Sequence, residues 1–280
     1  MNPRVVEASA PCRVDLGGGE PGTPEVAVAI DRRVACRVEA GPGIGEPTGL
    51  AGHVRRALGL EVGARVVTES RLPEGSGLGD ETAFAVALAG AFATAIDRPL
   101  SAEAIVRLAE AAIREAGMRA DTLAAGAAVR GGAVLAGPGG EAPVEPLGVD
   151  PARIEECLTL VDAGAGSSEP PATRVSRDVR AAIVGGRLED VVGLWAEEWD
   201  ERDRLRAGWA SPEAARLSAL VRAAGGAVRP CGGGLGRVLA VWAPPGARGP
   251  GRREAVHAAL RSAGVRLFAA RVDLRGLEVE

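Results

Sequence analysis

The sequence predicts an α+β protein in two parts, and three observations carry that prediction. Strand-like runs come first, at residues 4–8, 26–40 and 64–70. A nearly all-apolar stretch of helical length, residues 82–96 (TAFAVALAGAFATAI), follows a glycine-rich turn and has to be buried on most sides. The second half then alternates strand-like and helix-like segments in two βαβ-like units.

Taken in order, the Pro/Gly-rich residues 41–49 end the second strand before a short helix at 50–59. Ser101 is placed to cap the next helix, with Glu103 in its first turn and Gly117 as its stop. A glycine-rich loop carrying Asp121 is expected next, then a strand at 132–136. The segment 137–151 (GPGGEAPVEPLGVDP) reads as a domain junction, so the predicted domains are 1–150 and 151–280. Beyond it the pattern gives a strand at 157–163, helices near 176–186 and 187–206, and a helix from Pro212 to Gly225 capped by Ser211. Strands at 227–230 and 237–242, a helix at 251–263 and a strand at 267–273 complete a small split βαβ domain of ferredoxin-like type.

Composition narrows the function. The 280 residues, 46% of them hydrophobic, suffice for a real core. A net charge of −4 without a dense basic run gives no support for nucleic acid or an anionic membrane as partner, which leaves a small molecule. Three Phe, four Trp and no Tyr do not make a stacking platform for single strands. All 33 basic residues are arginine, so any cation beside a phosphate is a guanidinium, suited to bidentate contact. Cys12, Cys36, Cys157 and Cys231 form no CxxC pair, which argues against a disulfide framework or a zinc site and fits a reducing cytoplasm. The first residues lack the apolar stretch of a signal peptide, and no run of about 18 apolar residues occurs to span a bilayer. His53 and His257 leave little room for histidine chemistry and are expected on helix surfaces.

The segment most able to carry chemistry is Pro73-Glu-Gly-Ser-Gly-Leu-Gly-Asp-Glu-Thr-Ala83. Its glycines let backbone N–H groups approach an anion, and the helix it opens offers unpaired donors and about half a positive charge. It is neither a Walker A loop nor a Rossmann fingerprint, and a tight strand-to-helix turn reads equally well. Three further segments accompany it: Ala10-Pro-Cys-Arg-Val-Asp-Leu-Gly-Gly-Gly19, a polar-then-glycine turn; Cys231-Gly-Gly-Gly-Leu-Gly236; and Glu110 followed eleven residues later by Asp121. In that order the segments resemble the GHMP kinases, the superfamily of galactokinase, homoserine, mevalonate and phosphomevalonate kinases. The opening APCRVDLGGGEPGTPE and the ending GVRLFAARVDLRGLEV are most similar to the fucokinase and heptose-7-phosphate kinase branch.

The resemblance implies an α+β two-domain GHMP kinase fold: an N-terminal domain with a left-handed β-α-β crossover, a ferredoxin-like C-terminal domain and a site between them. It implies ATP and Mg²⁺ as cofactors and a sugar or sugar phosphate as substrate, in a monomer or homodimer. Asp121 would be the base and Arg13 its electrostatic partner. The phosphates would lie on Gly75, Ser76, Gly77, Leu78, Gly79, Asp80, Glu81 and Thr82, supported by Gly232, Gly233 and Gly234. Glu110 with Glu81 would hold the metal, and Asp15, Gly18, Gly19, Glu20 and Thr23 would line the substrate edge. Read without the resemblance, Glu110 is a solvated helix face, Asp121 a helix cap, Arg13 a surface cation, and residues 232–236 a close crossing of helix and strand. Asp80-Glu81-Thr82 stands where the family has serines, and Gly22 and Glu20 replace the aspartate and aromatic of the family's GGWSDTPP. At about 4 Å and an effective dielectric near 20, each carboxylate–phosphate pair costs on the order of 4 kcal/mol before screening, whereas a metal on Glu81 reverses the sign. Two readings therefore stand, a kinase and a catalytically silent GHMP-fold protein that binds a metabolite or partner. A third, an unrelated α+β protein, requires the 73–83 loop to lie far from Asp121.

Overall fold

The computed structural model describes residues 3–17, 25–70, 72, 75–137, 144–164, 173, 176–232, 236–246 and 251–280, with backbone alone for 176 and 177. It is an α+β structure on two sheets. In the first, β1 (Arg4–Gly17) and β2 (Glu25–Gly41) form a long antiparallel pair. β3 (Gly63–Ser70), β4 (Ala133–Ala136), β5 (Glu145–Pro146) and the last strand, β10 (Glu278–Val279), complete it in the order β10-β1-β2-β4-β5, with β3 also on β2. The turn expected near residues 10–19 is strand as far as Gly17. Val6, Ala8, Ala10, Cys12, Val14 and Leu16 alternate into the core, and that period of two outweighs the glycines that follow. Bulges at Pro11/Cys12 and Asp15/Gly17 bend the strand on either side of Arg13 and Asp15.

Helix α1 (Gly49–Ala57) precedes β3, and α2 (Asp80–Ala95) follows it. Small and aliphatic side chains all round α2 let it pack against β1, β2 and the neighbouring helices, with Ala83, Ala85 through Ala89 and Ala91 through Phe92 fully buried. Helix α3 (Ala102–Glu115) starts at Ser101, whose hydroxyl accepts the Ala104 N–H at 3.2 Å, as read from the sequence. Two helices were not foreseen. Helix α4 (Thr122–Arg130) fills the region expected to be a loop, since its sequence, TLAAGAAVR, is too short and glycine-interrupted to show a period. Packing supplies the missing stabilisation: Val144 sits where a side chain on Gly126 would be, 2.5 Å from the position of its absent Cβ. Helix α5 (Pro151–Cys157), capped by Asp150, ends the proline-rich segment.

The second sheet holds β6 (Leu158–Asp162), β7 (Ala227–Pro230), β8 (Val238–Trp242) and β9 (Leu267–Ala269), all antiparallel in the order β7-β8-β6-β9. Helices α6 (Ser176–Val184), α7 (Asp190–Leu205) and α8 (Pro212–Ala223) separate β6 from β7, and α9 (Arg252–Ser262) separates β8 from β9. Second, third, first, fourth is the order of a split βαβ sheet, as the alternation predicted. Ser211 caps α8, accepting the Ala214 N–H at 3.2 Å. His53 and His257 lie on helices but are half-buried rather than surface groups: each fills a polar gap, against Arg56 at 2.9 Å and against the Thr159 hydroxyl at 2.8 Å. One core runs from Val6 and Leu88 to Leu158 and Trp242, so the two sheets share it; a second, around Trp209, Leu217, Val241 and Leu260, packs elsewhere on the second sheet. Among the described residues no helix is long and apolar enough to cross a membrane.

The strand expected at 267–273 stops at Ala269, because the chain then turns back onto the first sheet. Arg33 holds it there. Its guanidinium donates to Asp273 at 2.5 Å, to the Ser9 carbonyl at 2.8 Å and to the Gly276 carbonyl at 2.8 Å, and pairs with Glu278 at 3.0 Å. The Asp273 side chain is wholly buried; its Oδ1 accepts the N–H groups of Arg275 and Gly276 at 2.9 and 3.2 Å, but Arg33→Met removes the nearest cation from its Oδ2 and leaves only the more distant Arg275 guanidinium at 3.4 Å. That substitution is expected to destabilise the protein by about 3 kcal/mol, read as a shift of the urea midpoint. An unchanged midpoint would show that the C-terminal segment is held by other contacts.

Candidate active site

The site begins with strand register. Arg13 pairs with Ala29 and Asp15 with Ala27, so these side chains share a sheet face with Glu25, two residues along β2. Ala27 and Ala29 are small and fully buried against Leu123 and Ala127 of α4, which lets that helix lie close to the sheet. Its first turn thereby reaches Arg13. Asp121 caps α4, its Oδ1 accepting the Ala124 N–H at 2.8 Å, while its Oδ2 receives a short hydrogen bond from Arg13 Nη2. Asp121 is thus a helix cap and a partner of the buried arginine at once. The carboxylate remains 31% exposed, against 7% for the Arg13 side chain.

Arg13 is not the surface cation of the simpler reading. Its Nε lies 2.9 Å from Asp15 Oδ1, an ion pair in which neither atom makes an aligned hydrogen bond. Burial works against its charge, but Asp121 and Asp15 more than offset this and hold the guanidinium protonated well beyond its ordinary range. Burial pushes the Asp15 carboxyl above its usual value against the pull of Arg13. Glu25 is raised too, by burial and then by the charges of Asp121 and Asp15. It was not foreseen as a site residue: the sequence around it, TPEVAV, carries no motif, and only the register of β1 on β2 reveals it.

The phosphate-loop candidate lies against this cluster. Gly75, Gly77 and Gly79 all have φ between +67° and +78°, where side chains are strained. A Cβ on Gly79 would fall 2.5 Å from Arg13 Nη1, and one on Gly77 would fall 2.6 Å from the Gly236 Cα. The Arg13 N–H donates to the Leu78 carbonyl at 2.8 Å, and the N–H groups of Arg237 and Val238 donate to the carbonyls of Gly75 and Ser76 at 3.0 and 3.2 Å. Gly232, Gly236, Arg237 and Val238 therefore brace the loop backbone to backbone. The Ser76 hydroxyl is spent within the turn, accepting the Leu78 N–H at 3.1 Å, and the Leu78 side chain is in the core, so what this stretch offers an anion is backbone. Helix α2 has Gly79 as a left-handed N-cap with no side-chain cap. Asp80 in its first turn is pushed up to about 6, by burial and then by Glu81; Glu81 is exposed and Thr82 buried.

The two halves meet at the same place. The Leu16 carbonyl, inside the second bulge of β1, accepts from Trp195 Nε1 at 2.9 Å and from Arg229 Nη1 at 3.2 Å; Arg229 also pairs with Glu198 at 3.3 Å. Asp15 is further bonded to backbone at Gly232. Gly18, Gly19, Glu20, Thr23, Gly233 and Gly234 lie outside the described residues.

Glu110 is buried in α3, not a solvated face. Its Oε2 accepts from Arg114 at 3.0 Å, and its Oε1 is buried without a hydrogen-bond partner. An orphaned carboxylate oxygen suits a hard cation, and Mg²⁺ needs only one or two protein carboxylates when phosphate supplies the rest. Among the described residues no three His, Cys, Asp or Glu side chains form a cage by themselves. An open cleft of about 610 Å³ along α6 and α7 contains none of these residues and plays no part in the site.

Residues 47–132, which include the 75–82 loop, Glu110 and Asp121, match the family model described as GHMP kinases N terminal domain. That match covers less than a third of the chain, while the fold of solved kinase structures extends over nearly all of it. A D-glycero-D-manno-heptose 1-phosphate kinase from Bacteriodes thetaiotaomicron superposes with a TM-score of 0.74 at 19% identity, covering 98% of each chain. An L. major mevalonate kinase in complex with R-mevalonate gives 0.69 at 15% identity over 98% of this chain and 96% of its own. The homoserine kinase from Cytophaga hutchinsonii gives 0.70 at 14% identity over 99% and 97%. No curated protein sequence matches the chain. The reading as an unrelated α+β protein falls, since the loop and Asp121 meet at Arg13.

Two outcomes follow from this geometry. Gly77→Ala is expected to cost about 3 kcal/mol in urea unfolding, combining a strained φ with backbone overlap, whereas Gly75→Ala, with open space around its Cβ, costs about 1. Equal costs would mean that Cys231, Gly232 and Gly236 do not brace the loop. Asp80 binds its proton more tightly folded than unfolded, so its charge lowers stability as pH rises from about 4 through about 6. Asp80→Asn should therefore raise the melting temperature at pH 7.5 and leave it nearly unchanged at pH 4. The reverse order would show that the carboxylate is stabilised at the helix mouth.

Proposed function

We propose that this chain is an ATP- and Mg²⁺-dependent kinase that transfers the γ-phosphoryl group to a hydroxyl of a small sugar-like substrate, working as a cytoplasmic monomer or homodimer. One observation carries the reading: a partly exposed carboxylate, Asp121, and a buried guanidinium, Arg13, converge on a glycine loop at the uncapped start of α2. Fold likeness to kinases that include a heptose 1-phosphate kinase supports the substrate class. The domains proposed are 1–150 for the nucleotide and 151–280 for the ferredoxin-like half, with the last strand returning to the first sheet.

In this reading the amides of residues 75–82 hold the phosphates, and Gly232 to Gly234 support the loop. Glu110, helped by Glu81 or Thr82, holds the metal, which when bound draws charge from the phosphate oxygens. Asp121 accepts the proton of the attacking hydroxyl. Arg13 holds Asp121 in place through their hydrogen bond and lends positive charge beside the transferred group. Asp15, Gly18, Gly19, Glu20 and Thr23 orient the acceptor. A second reading, a silent relative that binds a metabolite or partner, is favoured by Asp80 and Glu81 at the phosphate mouth.

Asp121→Asn keeps a capping oxygen but removes the base, so phosphoryl transfer to a sugar panel should fall about 10²–10⁴-fold, with Mg·ATP affinity by calorimetry changed less than about tenfold. Unchanged turnover would exclude Asp121 as the base. Glu81→Ser separates the two readings: weaker magnesium dependence supports the kinase, and tighter nucleotide binding with no turnover in either form supports the silent relative.

A further inference from the structure

The sheet face that would receive the acceptor is acidic in a specific way. Asp15 and Glu25 share it, and Asp121 reaches it through Arg13. The cation between them, Arg13, is already engaged by Asp121 and Asp15, and its Nη1 side is closed by the Gly79 backbone. Arg229 is turned to the Leu16 carbonyl and Glu198. Arg119, exposed on the loop before α4, draws on Glu25, but Asp121 and Asp15 act on that carboxyl more strongly. Glu25 itself is half-buried at the start of β2.

A phosphate or carboxylate on the acceptor would thus meet carboxylates before it met an available guanidinium. The same carboxylate oxygens are strong acceptors for neutral hydroxyl groups. Resting on the kinase reading, we infer that the acceptor is an unphosphorylated, uncharged polyol, and that Glu25 selects it by accepting its hydroxyl hydrogens and repelling anionic analogues. The chain would then act on the free sugar, upstream of any step that consumes a sugar phosphate.

The test compares binding of neutral aldohexoses and aldoheptoses with that of their 1-phosphates and terminal phosphates, by calorimetry on the full chain, for wild type, Glu25→Gln and Glu25→Arg. Mg·ATP binding and phosphoryl transfer are measured separately on the same samples. Wild type should prefer a neutral sugar to its phosphate by on the order of tenfold or more. Both substitutions should shrink that ratio, Arg more than Gln. A sugar phosphate bound more tightly than its parent by wild type overturns the inference, as does a ratio indifferent to both substitutions, or no binding by any sugar. Retained discrimination without ATP binding or transfer supports the Glu25 assignment and overturns the kinase reading instead.

Discussion

Arg13 is the residue through which the rest of the site is assembled. It is almost fully buried, its backbone N–H holds the glycine loop through Leu78, and its guanidinium holds the first turn of α4 through Asp121. A buried guanidinium is stable only when its partners are in place, because the cost of desolvating an unpaired charge is several kcal/mol. One side chain thus ties the geometry of loop, strand and helix together. Its neighbours on β1 do the same for the other half of the molecule: the Leu16 carbonyl accepts from Trp195 of α7 and Arg229 of β7, and Asp15 is bonded to backbone at Gly232.

Glycine has a particular task in this arrangement. At Gly77 and Gly236 two backbones meet so closely that a Cβ on either would overlap the other chain, and at Gly79 the overlap would be with Arg13. The loop can therefore present amides to an anion while its side chains face inward, as Ser76 and Leu78 do. What distinguishes this chain is the charge at the helix mouth. Asp80 and Glu81 place two carboxyl groups at the first turn of α2, and in the proposed kinase the phosphates would bind there with a metal that offsets that charge.

Much of this was legible in the sequence. The apolar run of α2 has no polar face and could only be a core helix, and the glycine loop and Asp121, expected near one another, both touch Arg13. Other parts were not legible, for physical reasons. Helix α4 depends on Val144 packing over Gly126, a contact that no local propensity reports. The extension of β1 through Arg13 and Asp15 is decided by alternation into a core whose other side is far away in sequence. Glu25 enters the site by strand register alone, and Asp273 by the return of the C-terminal segment to Arg33.

The most direct measurement is a crystal structure of the full chain with Mg²⁺ and a non-hydrolysable ATP analogue. The expected arrangement has phosphate oxygens on the amides of Gly75 to Thr82, the terminal phosphate beside Arg13 and Asp121, and the metal on Glu110. A nucleotide bound away from α2, or a terminal phosphate out of reach of Asp121, would contradict it.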